Sequence, residues 1–349
     1  MTPKLIPARL DIDLAALLAN YRTLQTTAPA SEIAPVVKAD AYGLGMARIA
    51  PWLAKHGAKT YFVARLEEGV ALRKTLSDAV IYVLDGLGKD ELAFFTEHDL
   101  RPVLNSLDQV RAWHGSTVKA ALHVDTGMNR LGIRPEDVSA LPANFAPVMI
   151  MSHLACGDEL GHPLNARQLG VFKAIAERFP GVPTSFANSA GAFLGADYRF
   201  DLIRPGNSLY GGGPFGVTHP DIQPVAHLSA RVLQVRELKA GETVGYGATF
   251  TAPRDMKLAT VGLGYADGVL RSFAAKGFAT IHGQRRPLTG RISMDALSLD
   301  VTGLDVTTED WVEVLGRQQN LDEVATASGT IGYEWLTRLG ARLPRHYTT

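Results

Sequence analysis

Cysteine is nearly absent. Cys156 is the only one in 349 residues, which excludes an intrachain disulfide framework and any cysteine-based zinc cluster. As a lone thiol it reads as a packing residue, and no metal site is predicted. An excess of either charge is also missing: thirty-five Lys and Arg balance thirty-five Asp and Glu, with no block of five or more like charges. The chain therefore carries no electrostatic footprint for DNA, RNA or an anionic membrane. No run of about 18 apolar residues occurs, so no membrane-spanning helix is predicted. The stretch Met1 to Arg9 lacks the basic start and apolar centre of a signal peptide, which leads to the expectation of a cytoplasmic protein. There is no P-loop, and Gly262-Leu263-Gly264-Tyr265-Ala266-Asp267-Gly268 lacks G-x-G-x-x-G spacing. Nucleotide binding gains no support, and a small-molecule ligand is expected.

The chain is long enough for two cores. Eight short apolar, β-branched runs span the first two thirds: Ile33 to Val37, Tyr61 to Ala64, Val80 to Leu84, Pro102 to Leu104, Lys119 to Val124, Val148 to Ser152, Thr184 to Ala187 and Asp201 to Ile203. Candidate helices lie between them at Met46 to Lys55, Leu66 to Lys74, Leu107 to Trp113 and Ala166 to Phe179. The gap between Val80 and Pro102 carries the weakest helical pattern. This alternation predicts a (β/α)8 barrel of the TIM type over residues 1–225. From about Val225 the texture becomes strand-like, at His227 to Leu238, Lys257 to Leu263, Ala279 to His282 and Trp311 to Leu315. A mainly β domain over residues 226–349 is expected. Ala8 to Ile12 alternates like a strand and is a candidate to join that second domain, with Asp13 capping a helix from Leu14 to Leu24.

In such a barrel, chemistry gathers at the C-terminal ends of the strands, and phosphate sites favour the loops after the seventh and eighth. The polar and glycine-rich residues fall there. Lys38 follows the first run in Val36-Val37-Lys38-Ala39-Asp40-Ala41-Tyr42-Gly43. It reads either as a solvated strand-end lysine or as an amine nucleophile, whose proton must be lost well below the reference pKa of roughly 10.4. Asp125-Thr126-Gly127-Met128-Asn129-Arg130 follows the fifth run, His153 ends the sixth, and Ser189 follows the seventh, where a helix is expected to begin. Ser189 serves equally as a helix cap or a phosphate anchor. Arg204-Pro205-Gly206-Asn207-Ser208 follows the eighth run. In the second domain, Tyr246 between Gly245 and Gly247 is either a turn residue or a second acid/base.

In combination and order, Val37-Lys38-Ala39-Asp40-Ala41-Tyr42-Gly43, Asp125 to Gly132, Arg204-Pro205-Gly206 with Leu209-Tyr210-Gly211, Gly245-Tyr246-Gly247 and Ser293-Met294-Asp295 resemble the alanine racemase family. These are fold-type III pyridoxal-phosphate enzymes, and the resemblance runs nearly end to end. It implies a homodimer that interconverts L- and D-alanine to supply peptidoglycan precursors. Lys38 would carry pyridoxal 5'-phosphate covalently and act on one face, with Tyr246 of the other subunit acting on the opposite face. Arg204 would meet the pyridine nitrogen, and His153 would lie beside the ring. Tyr42, Ser189, Gly206, Asn207 and Tyr333 would surround the phosphate, while Arg130, the backbone of Met294, and Tyr265 would serve the substrate.

An arginine at the ring nitrogen is always charged and donor-only, so it favours an unprotonated nitrogen and a weaker electron sink than an acid would. That suits proton exchange without transamination. Alone, Arg204 reads as a loop-holding ion-pair residue. Tyrosine is a weak base at neutral pH, so Tyr246 needs a helper, with His153 and Arg204 the candidates. Two positions depart from the family's commonest pattern. Asn207 replaces a β-branched apolar residue, and His123 replaces a lysine that braces the substrate-binding arginine in some members. His123 reads equally as a satisfied barrel-interior histidine or a substitute brace. A broader amino-acid racemase, an amino-acid decarboxylase on the same barrel and a pyridoxal-phosphate carrier are the competing readings. The second domain with Tyr246 and Met294 argues against the carrier.

Overall fold

The computed structural model describes residues 7–349; residues 1–6, on which part of the signal-peptide reading of Met1 to Arg9 falls, lie outside the described residues. The chain divides into two compact units, one of Leu18–Leu209 with Gly213–Phe215, the other of Met1–Leu17, Tyr210–Gly212 and Gly216–Thr349. Strand β1 (Ala8–Asp13) leads into helix α1 (Leu14–Thr27), where Asp13 Oδ1 accepts from the Ala16 N–H at 2.8 Å as an N-cap.

The first unit is an eight-stranded parallel sheet: β2 (Glu32–Ile33), β3 (Thr60–Val63), β4 (Val80–Val83), β5 (Arg101–Leu104), β6 (Ala121–His123), β7 (Met149–Met151), β8 (Thr184–Asn188) and β9 (Leu202–Arg204). Neighbours run β2-β9-β8-β7-β6-β5-β4-β3, and the ring closes through a parallel bridge between Val36 and Phe62. All eight apolar runs become strands, because a strand buried on both faces must be apolar nearly throughout. The first differs from expectation. The regular strand ends at Ile33, but Ala34 N–H still donates to Ile203 O and Val36 N–H to Pro205 O, both at 2.9 Å, while on the β3 side Phe62 N–H donates to Pro35 O at 3.0 Å and Val37 N–H to Phe62 O at 2.8 Å. The helices are α2 (Met46–Lys55), α3 (Leu66–Arg73), α4 (Leu92–Glu97), α5 (Leu107–Trp113) and α6 (Pro163–Ala176). The helix expected after Ser189 is only a 3-10 turn at Gly191–Phe193, capped by Asn188 Oδ1, which accepts from Gly191 N–H at 2.8 Å.

The second unit is mainly β. Strand β10 (Ala226–Leu238) pairs antiparallel with β1 at one end, where Ala8 faces Ala230, and at the other with β13 (Met256–Val261). The remaining strands are β11 (Thr243–Val244), β12 (Phe250–Thr251), β14 (Phe278–Ile281), β15 (Gln284–Pro287), β16 (Leu297–Asp300), β17 (Trp311–Leu315) and β18 (Arg345–Thr348), with β18 parallel to β1. Two helices, α7 (Leu321–Ser328) and α8 (Gly332–Arg338), carry buried Val324, Trp335 and Leu336. No helix among the described residues is long and apolar enough to cross a membrane.

Candidate active site

Lys38 leaves the first barrel strand into an unusual backbone. Ala39, Asp40, Ala41 and Tyr42 all take left-handed φ, from 51° to 56°. For residues with a Cβ this disfavours the chain by roughly 1–2 kcal/mol each, so other groups must hold it. Glu68 is one of them. Its Oε1 accepts from Ala39 N–H at 2.6 Å, while Oε2 accepts from Ala64 and Arg65 N–H at the start of α3. Asp40 Oδ1 accepts from Met46 N–H at 2.7 Å and fixes the exit. Burial, and then the Arg130 charge, push the Lys38 ammonium below its ordinary pKa, with Glu68 and Asp85 opposing. A neutral amine at Lys38 is correspondingly easier to reach.

Arg204, at the end of β9, is buried and well supplied with acceptors. Nη1 donates to Ser185 Oγ at 2.5 Å; Nη2 donates to Ser152 O at 2.6 Å and lies 3.2 Å from His153 Nδ1. Among the described residues no carboxylate pairs with it and no group takes its Nε hydrogen, so the ion-pair reading of Arg204 does not hold. Burial pushes the guanidinium down to about 9, still a cation at neutral pH. Because arginine only donates, His153 Nδ1 must accept and the ring is neutral with its proton on Nε2. Burial first, then Arg204, hold the His153 pKa well below the ordinary value.

Ser189 organises the β9 loop. Its Oγ accepts from Gly206 N–H at 3.0 Å and from Ser208 N–H at 3.2 Å, which occupies both lone pairs and leaves the O–H free to donate outward. The Gly206 N–H is thus engaged by protein, and what Gly206 contributes is space: a Cβ there would run into the Tyr42 hydroxyl. Asn207 turns its Nδ2 to Gly213 O at 3.1 Å, while its Oδ1 and the Ser208 Oγ are buried without a partner. Tyr42 is itself buried.

The β6 loop carries Arg130. Asp125 accepts from three successive amides, Gly127 and Met128 through Oδ1 and Asn129 through Oδ2, at 2.8–2.9 Å. Gly127 at φ 140° permits the turn. Arg130 is exposed, and no hydrogen bond or ion pair engages its guanidinium among the described residues. Its charge is nevertheless felt by Lys38, His123 and His153, so it stands as an unneutralised cation beside the lysine. His123 Nδ1 lies 2.7 Å from Asn105 Oδ1 and the ring is buried, which makes it a satisfied interior histidine.

In the β unit, Tyr246 opens a 3-10 turn between β11 and β12 with its side chain exposed (72%). It lines a cleft of about 590 Å³ together with Arg236, Thr260, Arg291 and Ser293. A Cβ on Gly247 would come within 2.8 Å of Arg291 Nη1, so the glycine admits that guanidinium. Met294 and Tyr265 are stitched together separately: Tyr265 N–H donates to Ser293 O at 3.1 Å and Ala266 N–H to Met294 O at 3.0 Å. Arg342 clamps both turns, with Nε to Asp267 Oδ1 and Nη2 to Asp295 Oδ1 at 2.6 Å. Tyr333 sits on α8 and is not among the residues lining the Tyr246 cleft.

The barrel unit thus gathers Lys38, Tyr42, Arg130, His153, Ser189, Arg204, Gly206 and Asn207 at its C-terminal rim. Glu68, Asn105, Asp125 and Gln168 also shape it, and sequence reasoning missed their roles. Among the described residues there is no cluster able to hold a metal ion. The donor set suits an aromatic phosphate carrying an aldehyde: an amine of lowered basicity, a buried guanidinium with its Nε–H and one Nη1 hydrogen unclaimed, and a hydroxyl free to donate beside unpartnered polar atoms.

Comparison with known proteins agrees. Residues 12–214 match the family model for the alanine racemase N-terminal domain and residues 225–347 that for the C-terminal domain. Alanine racemase of Rhizobium meliloti (strain 1021) is 44% identical, covering 97% of this chain and 96% of the relative. The catabolic alanine racemase of Agrobacterium fabrum (strain C58 / ATCC 33970) is also 44% identical, covering 97% and 91%. The crystal structure of alanine racemase from Bartonella henselae with covalently bound pyridoxal phosphate superposes with a TM-score of 0.93 at 39% identity, covering 98% of this chain and 99% of that one.

Proposed function

Because the chain belongs to the alanine racemase family, we propose that it interconverts L- and D-alanine with pyridoxal 5'-phosphate, supplying D-alanine for peptidoglycan. The observation that carries this reading is Lys38 at the barrel rim, half-buried, lowered in basicity and within reach of the unpaired Arg130 charge, on the same rim as the Arg204–His153 contact. When bound, the cofactor withdraws electrons from an attached amino acid and so acidifies its Cα–H. The residues do the rest.

Lys38 Nζ would hold the cofactor and, as a free amine, would move a proton at Cα on one face. Tyr246 Oη serves the other face, Lys38 being matched to the D-isomer and Tyr246 to the L-isomer. Arg204, whose Nε–H is unclaimed, would face the ring nitrogen and, as an obligate donor, would favour its unprotonated form. His153, neutral, packs beside the ring. The Ser189 hydroxyl, with both lone pairs occupied, donates to the phosphate, in a cradle completed by Tyr42, Gly206, the Asn207 backbone and Tyr333. The exposed cation of Arg130 binds the substrate carboxylate with the Met294 N–H, and Tyr265 narrows the approach.

The proposal includes a homodimer in which Tyr246 reaches the partner's barrel, a cytoplasmic location, and a barrel domain followed by a mainly β domain to which the first strand, Ala8–Asp13, also belongs. Tyr246 is exposed in a cleft rimmed by Arg236 and Arg291, which leaves its phenol accessible to a second copy of the chain. The test is incubation of purified protein and pyridoxal phosphate with L-alanine in D2O, following chirality and Cα deuterium. Deuterium incorporation with loss of chirality is expected; carbon dioxide release instead would identify a decarboxylase.

A further inference from the structure

Gln168 lies on α6, completely buried, and none of its side-chain hydrogen bonds serves its own helix. Its Oε1 accepts from Ala155 N–H at 2.9 Å, and its Nε2 donates to His153 O at 2.9 Å and to Thr126 Oγ1 at 3.1 Å. Both amide hydrogens are used, and the Ala155 donor fixes which end is oxygen. Thr126 Oγ1 also shares a hydrogen bond with Ser152 Oγ at 2.9 Å, in which either hydroxyl can donate. One side chain therefore ties the loop after β6 to the loop after β7.

Those two loops hold the groups that matter most around Lys38. Thr126 begins the turn whose amides are gathered by Asp125 and which ends at Arg130. Ser152 O and His153 Nδ1 are two of the acceptors of Arg204 Nη2, with Phe186 O at 3.4 Å the third. A buried amide is tolerated only when its polar atoms are satisfied, and an apolar side chain of equal length would fill this space without that demand. Gly127 also passes close, a Cβ there lying 3.5 Å from Gln168 Cγ.

We propose that Gln168 is a positioning residue that sets the spacing between Arg130 and His153 by joining their loops through Thr126, His153 O and Ala155. The functional part rests on the racemase reading of Arg130 and His153; the tether itself does not. Gln168→Met keeps the length and removes every hydrogen bond, while Gln168→Glu retains an acceptor for Ala155 N–H. Hydrogen exchange is measured on the full chain with pyridoxal phosphate but no substrate, and KM, kcat and inhibition by propionate are measured alongside. In Gln168→Met, exchange of the Ala155 and Gly127–Asn129 amides should quicken by about tenfold, as expected for losing more than one hydrogen bond, with the barrel strands unchanged. KM for alanine and the propionate inhibition constant should rise by about tenfold, more than kcat falls, since the carboxylate site is displaced. Gln168→Glu should fall between, and carries the test if Gln168→Met does not fold. Wild-type exchange in both loops, or equal loss of kcat and kcat/KM with propionate binding intact, would overturn the proposal. Loosened loops in a protein that never racemises alanine would keep the tether and refute the racemase reading.

Discussion

Acidification from pH 7 to pH 5 should destabilise the barrel unit through His123, and the ring's surroundings set the size of the effect. Asn105 Nδ2 spends its hydrogens on Leu84 O and Val103 O, both at 2.9 Å, so its Oδ1 must accept, and His123 Nδ1 carries the proton in the neutral ring. Burial, and then the Arg204 charge, push the His123 pKa from 6.5 down to about 4; Asp125 opposes, and Arg130 adds a smaller push in the same direction as Arg204. In the unfolded chain the ring takes a proton below about 6.5, while in the fold it stays neutral until about 4. The unfolded state therefore binds more protons in that window, and stability falls as pH falls through it, levelling off below. A gap of about 2.5 units corresponds to about 3 kcal/mol when complete, and about 2 kcal/mol is already lost at pH 5. The assay is urea unfolding of wild type and His123→Gln across this range, since glutamine can keep the donation to Asn105 but does not titrate. The wild type should lose about 2 kcal/mol more than the variant between pH 7 and pH 5. Parallel pH profiles, or an NMR titration of the His123 Cε1–H centred near 6.5, would refute the reasoning.

Two further substitutions probe the cradle and the Arg130 loop. Gly206→Ala places a Cβ against the buried Tyr42 hydroxyl, and overpacking of this kind disfavours the fold by roughly 1–3 kcal/mol; cofactor affinity, followed by absorbance titration, should weaken while the folded content holds. Unchanged affinity would mean that Tyr42 yields freely. Asp125→Ala leaves three amides without their acceptor, at a net loss of about 1 kcal/mol or more for each. KM for alanine should rise with little change in cofactor affinity, and a wild-type KM would show that Arg130 is placed by other means.

Much of this arrangement is legible in the sequence, because burial on both strand faces writes itself as continuous apolar runs. Those runs located all eight barrel strands, and Met46 to Lys55 and Leu107 to Trp113 became helices with the expected ends. What was not legible depends on contacts between segments distant along the chain. Nothing local makes Ala39 to Tyr42 left-handed; Glu68, on the next helix but one, stabilises that turn by accepting from Ala39 N–H. The helix expected after Ser189 is only the 3-10 turn Gly191–Phe193, and the Asn188 Oδ1 contact to Gly191 N–H that holds its start could not be read from local pattern. Asp125 before Thr126 and Gly127 carried the usual signal of a side chain closing a turn. Gln168 carried none, since a polar residue on a helix reads as solvent-facing until its three rim contacts are seen. The short strands β15 and β16 and helices α7 and α8 escaped because their apolar patterns are brief.

Two acid/bases on opposite faces, Lys38 and Tyr246, form the centre of the proposed chemistry. The direct measurement is Cα exchange and racemisation by Tyr246→Phe in D2O, starting separately from D-alanine and L-alanine with pyridoxal phosphate bound. Racemisation should fall by about 100-fold or more, cofactor absorbance should persist, and the Cα hydrogen of D-alanine should still exchange through Lys38 without loss of chirality. Wild-type racemisation in both directions by Tyr246→Phe would contradict the two-sided assignment.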